Sequence, residues 1–209
     1  MITNQNQFDK TVDVLVVGSG CGGLTAALTA NISNGSKVLV IEKSNLIGGT
    51  SATSGGVIWI PNNHHAEQAG AVDSTKEAKD YLRATIPADE FNEPMIDSYL
   101  ENGPKMVKFM EDHTDVSYTS LEHYPDYFQD APGVKLGNRA LEPSPVSADT
   151  LEDDVDNLHP SGPQTILFGR YGVNFEESHA FTTQSPGWLK LFLKIFFQYW
   201  LDIPWRIKR

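Results

Sequence analysis

The stretch VDVLVVGSGCGGLTAAL, residues 12–28, constrains this chain more than any other. VDVLVV is a short, β-branched apolar run and reads as a buried strand. It stops directly on glycines at 18, 20 and 23, the pattern G-x-G-x-x-G. Leu24, Ala27, Leu28 and Ile32 then recur at helical spacing, and Asn34-Gly35 supplies a stop. Residues 37–42, KVLVIE, read as a second buried strand. The whole is a strand–helix–strand unit of about thirty residues, the size of a βαβ crossover. The expected fold class is α/β, with a Rossmann-like βαβ domain whose sheet is incomplete.

The glycines predict a ligand. Gly18 allows the tight turn, Gly20 lets main chain approach a pyrophosphate, and Gly23 lets the helix pack on the strand; Gly22 belongs to the same loop. Phosphates would sit at the helix N-terminus, where free N–H groups and the helix dipole favour negative charge. Glu42, about twenty positions on, would accept hydrogen bonds from the adenosine ribose hydroxyls. Cys21 reads as a small loop filler, since no second cysteine exists to resolve a thiol reaction.

A second cluster selects the dinucleotide. Glu42-Lys43-Ser44 leads to Gly48-Gly49-Thr50-Ser51 and then Ser54-Gly55-Gly56. A nicotinamide domain has no need of this return loop. FAD does, because its ribityl chain and ring extend beyond the pyrophosphate. Small residues bare main-chain N–H groups, and the hydroxyls of Thr50, Ser51 and Ser54 can bond phosphate and ribityl oxygens. The competing reading is a surface loop of small polar residues. FAD, held non-covalently, is the expected cofactor.

Composition excludes other classes. The net charge of −11 over 209 residues argues against nucleic acid, which needs a basic face. The polar first eleven residues do not form a secretory signal, and the single cysteine fits a reducing, cytoplasmic setting. No metal site is expected: His64-His65 have no partner spacing with other ligand types and read as a solvated turn.

Beyond Pro61 the chain turns helical and proline-rich. Ser74-Thr75-Lys76-Glu77 is a capping box, with Glu77 reaching back, and opens a helix to about Thr85. Asn92 with Pro94 starts another, burying Ile96, Tyr99 and Leu100, which Gly103-Pro104 is expected to break. A further short helix, 105–112, would bury Met106, Val107 and Met110. Residues 114–187 hold seven of the twelve prolines and little periodicity. The acidic run 149–157 lacks the glycine of an EF-hand loop and reads as solvated. The last segment, WLKLFLKIFFQYWLDIPWRIKR, has Lys190, Lys194, Gln198 and Asp202 every four positions on an otherwise apolar helix. It is either buried in a larger protein or lies on a membrane surface with Arg206, Lys208 and Arg209 near headgroups. The expected division is 1–113 for the cofactor part with its helical extension and 114–209 for the start of a substrate or cap region.

VDVLVVGSGCGGLTAAL, LVIEKSNLIGGTSATSGGVIWIPNN, YPDYFQDAPG and YWLDIPWR together resemble the 3-ketosteroid dehydrogenases, of the FAD enzyme group that includes fumarate reductase and the succinate dehydrogenase flavoprotein. The first two motifs belong to the whole group; GGVIWIPNN and Tyr-Pro-Asp-Tyr point to the steroid enzymes. The resemblance matches only the first part of such an enzyme, so an N-terminal portion is expected. It puts Ser19, Gly20, Glu42, Lys43, Ser44, Gly49, Thr50, Ser51, Gly55 and Gly56 on FAD-contacting positions. Tyr127 matches a tyrosine that lines the steroid pocket and assists the catalytic base, and Tyr124 is the second candidate. The resemblance implies Δ1-dehydrogenation: a tyrosinate takes a proton from C2 while hydride passes from C1 to flavin N5. It also implies a 3-ketosteroid substrate and an external electron acceptor. The alternatives are a Δ4-(5α)-dehydrogenase or other flavin reductase of the group, and a non-catalytic remnant.

Overall fold

The computed structural model describes residues 8–162, 166–167, 171–201 and 203. These form two units. The first holds the chain to Thr53 together with Leu151–Pro160, and the second holds Ser54–Thr150 and the chain from Ser161.

In the first unit, β1 (Val14–Val17) and β2 (Val38–Ile41) pair in parallel, with Val14 opposite Val38 and Val17 opposite Ile41. Helix α1 (Cys21–Asn34) makes the crossover between them. It ends on Gly35, whose φ of 64° is left-handed and whose N–H bonds the Asn31 carbonyl, so the predicted stop is a glycine C-cap. The strands are not buried as expected. Side chains alternate along β1: Val16 is buried, while Leu15 is 55% and Val17 76% exposed. A two-stranded sheet has one helix-covered face, and period-two geometry sends every other residue away from it.

A short helix α2 (Gly49–Thr53) follows. The acidic run is not a free loop. It forms 3-10 turns over Ala148–Asn157, interrupted at Glu152. Its end docks on the segment before α2: Ile47 N–H donates to the Asn157 carbonyl at 2.8 Å, and His159 N–H to the Ile47 carbonyl at 2.8 Å. Ile47 and Leu158 thus form a parallel bridge.

The second unit is built on an antiparallel sheet in the order β3 (Ile58–Trp59), β5 (Ala140–Pro143), β4 (Tyr118–Ser120). Around it lie α3 (His64–Gln68), α4 (Thr75–Thr85) and α5 (Glu93–His113). Ser74 caps α4 by accepting from Glu77 N–H at 3.2 Å. Glu77 reaches back to the Ser74 hydroxyl, at 2.8 Å, because the Ser74 N–H is already bonded to Asp73.

Helix α5 corrects the expected break. It is one helix of 21 residues running through Gly103-Pro104. Proline removes one hydrogen bond, but Leu100, Gly103, Val107 and Met110 remain a single buried stripe. Ile60 packs so closely there that a Cβ on Gly103 would lie 3.3 Å from its Cδ1. Ile60, Val107 and Leu141 form the core, with Ile58, Met106 and Tyr118 against it.

The later region is more structured than its prolines suggest. It contains a short hairpin, β6 (Ile166–Leu167) with β7 (Tyr171–Gly172), then α6 (Phe175–Thr183) and α7 (Trp188–Leu201). Helix α7 packs on α6 through Phe192 and Phe181. Asp202, Arg206, Lys208 and Arg209 lie outside the described residues. Among the described residues no helix is long and apolar enough to cross a membrane.

Candidate functional site

Ser19 joins the parts of the candidate nucleotide site. It is 3% exposed. Its hydroxyl donates to Glu42 Oε2 at 2.7 Å and accepts from Gly48 N–H at 2.9 Å. Its own N–H donates to the same Glu42 oxygen at 2.9 Å. The turn after β1, the end of β2 and the start of the second glycine cluster are therefore one bonded unit. Ser51 adds a second tie, its Oγ accepting from Cys21 N–H at 3.0 Å.

These donors act on Glu42 in a consistent direction. The Ser19 hydroxyl, then the Ser19 and Ser44 N–H groups, hold its carboxyl down at about 2, so it is ionised at neutral pH. Glu42 Oε1 accepts from Ser44 N–H at 3.0 Å and retains a side open to a further hydroxyl donor.

The turn itself fits a diphosphate. Gly20 caps α1 without any side-chain hydrogen bond. A Cβ at Gly18, Gly22 or Gly49 would meet nothing within 4 Å, so the main chain there borders open space. At Gly23 the reverse holds: a Cβ would strike the Gly18 carbonyl oxygen and sit 3.3 Å from Val16 Cγ1. Gly23 is required by the fold, and Gly18 and Gly20 leave room for a ligand.

The remaining candidates are distributed as follows. Lys43 and Thr50 are exposed beside this group, and Ser44 Oγ accepts from Leu46 N–H at 3.1 Å. Ser54, Gly55 and Gly56 open the second unit, where Ser54 Oγ accepts from Gly56 N–H at 3.0 Å.

Tyr124 and Tyr127 are brought together in the second unit. Their hydroxyls lie 3.1 Å apart, and Tyr127 is 79% exposed. Both line a cleft of about 260 Å³ with Val57, Trp59, Tyr81 and Ala140. The bond to Tyr127, followed by burial, pushes the Tyr124 phenol above its ordinary range. Either hydroxyl can donate to the other across this distance.

A buried charge cluster fixes this segment. Arg139, 2% exposed, bonds Asp73 through Nε at 3.0 Å and Nη2 at 2.7 Å, and Asp126 through Nη1 at 2.7 Å. Asp126 also accepts from Trp59 Nε1 at 2.7 Å and Lys135 N–H at 2.9 Å. Burial pushes the Asp73 carboxyl up, and the Arg139 guanidinium together with the Asn62 and Ser74 N–H groups outweighs it, leaving it lowered. Asp126 immediately precedes Tyr127, so this network sets where the tyrosine stands. Sequence reasoning missed Arg139 and Asp73, because a lone arginine and a lone aspartate 66 positions apart carry no local signal.

Known proteins bear on this geometry. Residues 13–149 match a family model described as FAD binding domain. A 4-oxocyclohexanecarboxylate 2-dehydrogenase from Sinomonas cyclohexanicum is 40% identical over 83% of this chain and 29% of its own. A 3-oxosteroid 1-dehydrogenase from Mycolicibacterium smegmatis is 41% identical over 71% of this chain and 26% of its own. Among solved structures, a 3-ketosteroid delta1-dehydrogenase from Sterolibacterium denitrificans, in complex with 1,4-androstadiene-3,17-dione, superposes with a TM-score of 0.87 and 39% identity. It covers 95% of this chain and 35% of its own. The chain thus spans about a quarter to a third of the relatives it matches. With the Ser19-linked glycine clusters in place, the family model over most of its length decides the assignment: this chain belongs to the FAD binding domain family.

Proposed function

We propose that this chain supplies the adenosine and diphosphate half of a non-covalent FAD site in an enzyme that desaturates a ring next to its ketone. The observation that carries this reading is the Ser19 hydroxyl, bonded at once to Glu42 and Gly48, which ties the first glycine turn to the start of the second cluster. Gly18, Gly20, Gly22 and Gly49 present main chain to the diphosphate, with hydroxyls from Thr50 and Ser51 beside them. Glu42 accepts from the ribose. When bound, FAD supplies the hydride acceptor of the reaction, and an external acceptor removes the electrons afterwards.

The substrate read from the steroid relatives is a 3-ketosteroid, attacked at the Δ1 rather than the Δ4-(5α) position. The aromatic cleft at Tyr127 suits an apolar ring system. At about 260 Å³ it is below the roughly 300–1,000 Å³ of most small-molecule sites, so it holds one end of such a ligand. Tyr124 is hydrogen-bonded to Tyr127, whose exposed hydroxyl faces the substrate. Asp126, gripped by Arg139, keeps that oxygen in place.

The experiment is direct. The purified chain is incubated with FAD and passed through gel filtration; flavin absorbance that travels with the protein supports the site, and colourless protein supports a non-catalytic remnant. Retained flavin is then tested with an artificial acceptor and two substrates, a 3-ketosteroid and 4-oxocyclohexanecarboxylate. Faster desaturation of the second moves the substrate assignment to the smaller ring ketone, whose dehydrogenase is equally similar to this chain.

A second reading concerns place. Leu189, Leu193, Phe197, Trp200 and Leu201 are exposed on α7, with Lys190 and Lys194 among them. This suits a helix lying on an anionic membrane surface. Co-sedimentation with anionic vesicles, reduced by Lys190→Glu with Lys194→Glu, supports it; equal sedimentation of both proteins with neutral vesicles overturns it.

A further inference from the structure

His64 and His65 open α3, and the sequence offers them no third ligand. The structure does: Glu111, near the end of α5, reaches them both. His64 Nε2 lies 2.9 Å from Glu111 Oε2, and His65 Nε2 lies 2.8 Å from Glu111 Oε1. The ligating atoms all fall within 4.8 Å of one another. The two rings stand 4.1 Å apart, centroid to centroid.

We propose that His64, His65 and Glu111 form a binding site for a late first-row divalent cation, zinc being the fitting occupant, which ties α3 to α5. Two imidazole nitrogens and one carboxylate oxygen are a zinc donor set, with the fourth position left to water. Imidazole donors favour zinc, nickel and copper over magnesium or calcium. Tetrahedral zinc at roughly 2.0–2.1 Å from each donor separates its ligand atoms by about 3.3 Å. The two His–Glu separations are a few tenths of an ångström shorter and all three ligand atoms stay within 4.8 Å of one another, so modest side-chain rotation accommodates an ion.

The support around the three groups is already built. Asn63, 1% exposed, precedes the histidines and anchors their turn. Its Nδ2 donates to the Ile60 and Asn138 carbonyls at 2.7 and 2.9 Å, and its Oδ1 accepts from Ala66 N–H at 2.8 Å. Glu111 Oε1, the oxygen that faces His65, also accepts from Tyr118 N–H at 2.9 Å. Such outer bonds orient metal ligands. The side chains of His64, His65 and Glu111 are partly exposed, leaving a path for an ion. Without one, both imidazoles must aim an N–H at the same carboxylate. With one, each turns its Nε2 lone pair to the metal and carries its proton on Nδ1. The site's charge, one carboxylate with neutral rings, suits a dication.

The test uses the full chain and Co(II), a spectroscopic substitute for zinc. One equivalent is expected to give a visible ligand-field band that zinc abolishes. His64→Gln, His65→Gln and Glu111→Gln each weaken the affinity by roughly tenfold or more, while His123→Gln titrates like the parent. No band at one equivalent, or a parent-like titration of any of the three ligand variants, overturns the site. If a variant fails to fold by circular dichroism, the parent decides: Co(II) shifts the ring protons of His64 and His65, and a shift confined to His113, His123, His159 or His179 overturns the proposal. The result is independent of flavin binding.

Discussion

Arg139 holds Asp126 at 2.7 Å with both side chains 2% exposed, one residue before Tyr127. The same guanidinium lies over the Trp59 ring at 5.5 Å and grips Asp73 with two further nitrogens. A charge with so little water needs every one of these partners, and the tyrosine next to Asp126 inherits their rigidity.

Arg139→Ala therefore strands two buried carboxylates. The expected loss is about 3–5 kcal/mol, the cost of breaking a buried pair from one side. Urea unfolding followed by tryptophan fluorescence measures it, and Trp59, bonded to Asp126, reports locally. Arg139→Lys keeps the charge but not the fork, and falls between.

Gly20 and Gly23 are expected to separate binding from folding. A Cβ on Gly20 meets only Ser51 Oγ, at 3.6 Å, an ordinary contact. Gly20→Ala should leave stability nearly unchanged and weaken FAD, and Gly20→Val should abolish flavin retention. Gly23→Ala drives its methyl into the Gly18 carbonyl and should cost about 1–3 kcal/mol as overpacking does. Thermal unfolding and flavin fluorescence titration, run on the same samples, distinguish the two.

Glu42 makes the site acid-sensitive. Its carboxyl is lowered from an ordinary 4.5 to about 2, so the folded turn favours the ionised form. The stabilisation is fully present above pH 4.5 and is lost as pH falls through about 2. Glu42→Gln should flatten that dependence in a thermal-shift series from pH 6 downward. Its FAD affinity should already be reduced at neutral pH.

Tyr127 and Tyr124 are expected to differ in kinetics. If the proposed desaturation holds, Tyr127→Phe should lower kcat in a dye-linked assay, by less than the roughly 10²–10⁴-fold expected for loss of the base itself. Tyr124→Phe should lower it less, since it removes only the hydrogen-bond partner of Tyr127. Initial rates with the 3-ketosteroid check both.

What could be read from sequence was local. β1, α1 and β2 announce themselves within thirty-odd residues, through apolar runs and glycines whose roles are set by near neighbours. Long-range ties left no trace. Ser19 is one serine among many until its hydroxyl is found between Glu42 and Gly48. Glu111 meets His64 and His65 only because α5 continues past Pro104, which local rules read as a terminus. Residues 149–157 read as a solvated acidic run, and the pairing of its end, Asn157–His159, with Ile47 depends on a chain reversal that no window of sequence contains.

That pairing orders events on the ribosome. Main chain around Ile47 is synthesised early, but its partner Leu158 emerges only after Ser54–Thr150 has been made. The segment leading into Gly48 thus waits through the synthesis of Ser54–Thr150 without its clamp, and the nucleotide cradle matures only after that. Stalled nascent chains released just before and just after residue 160 should differ in flavin capture.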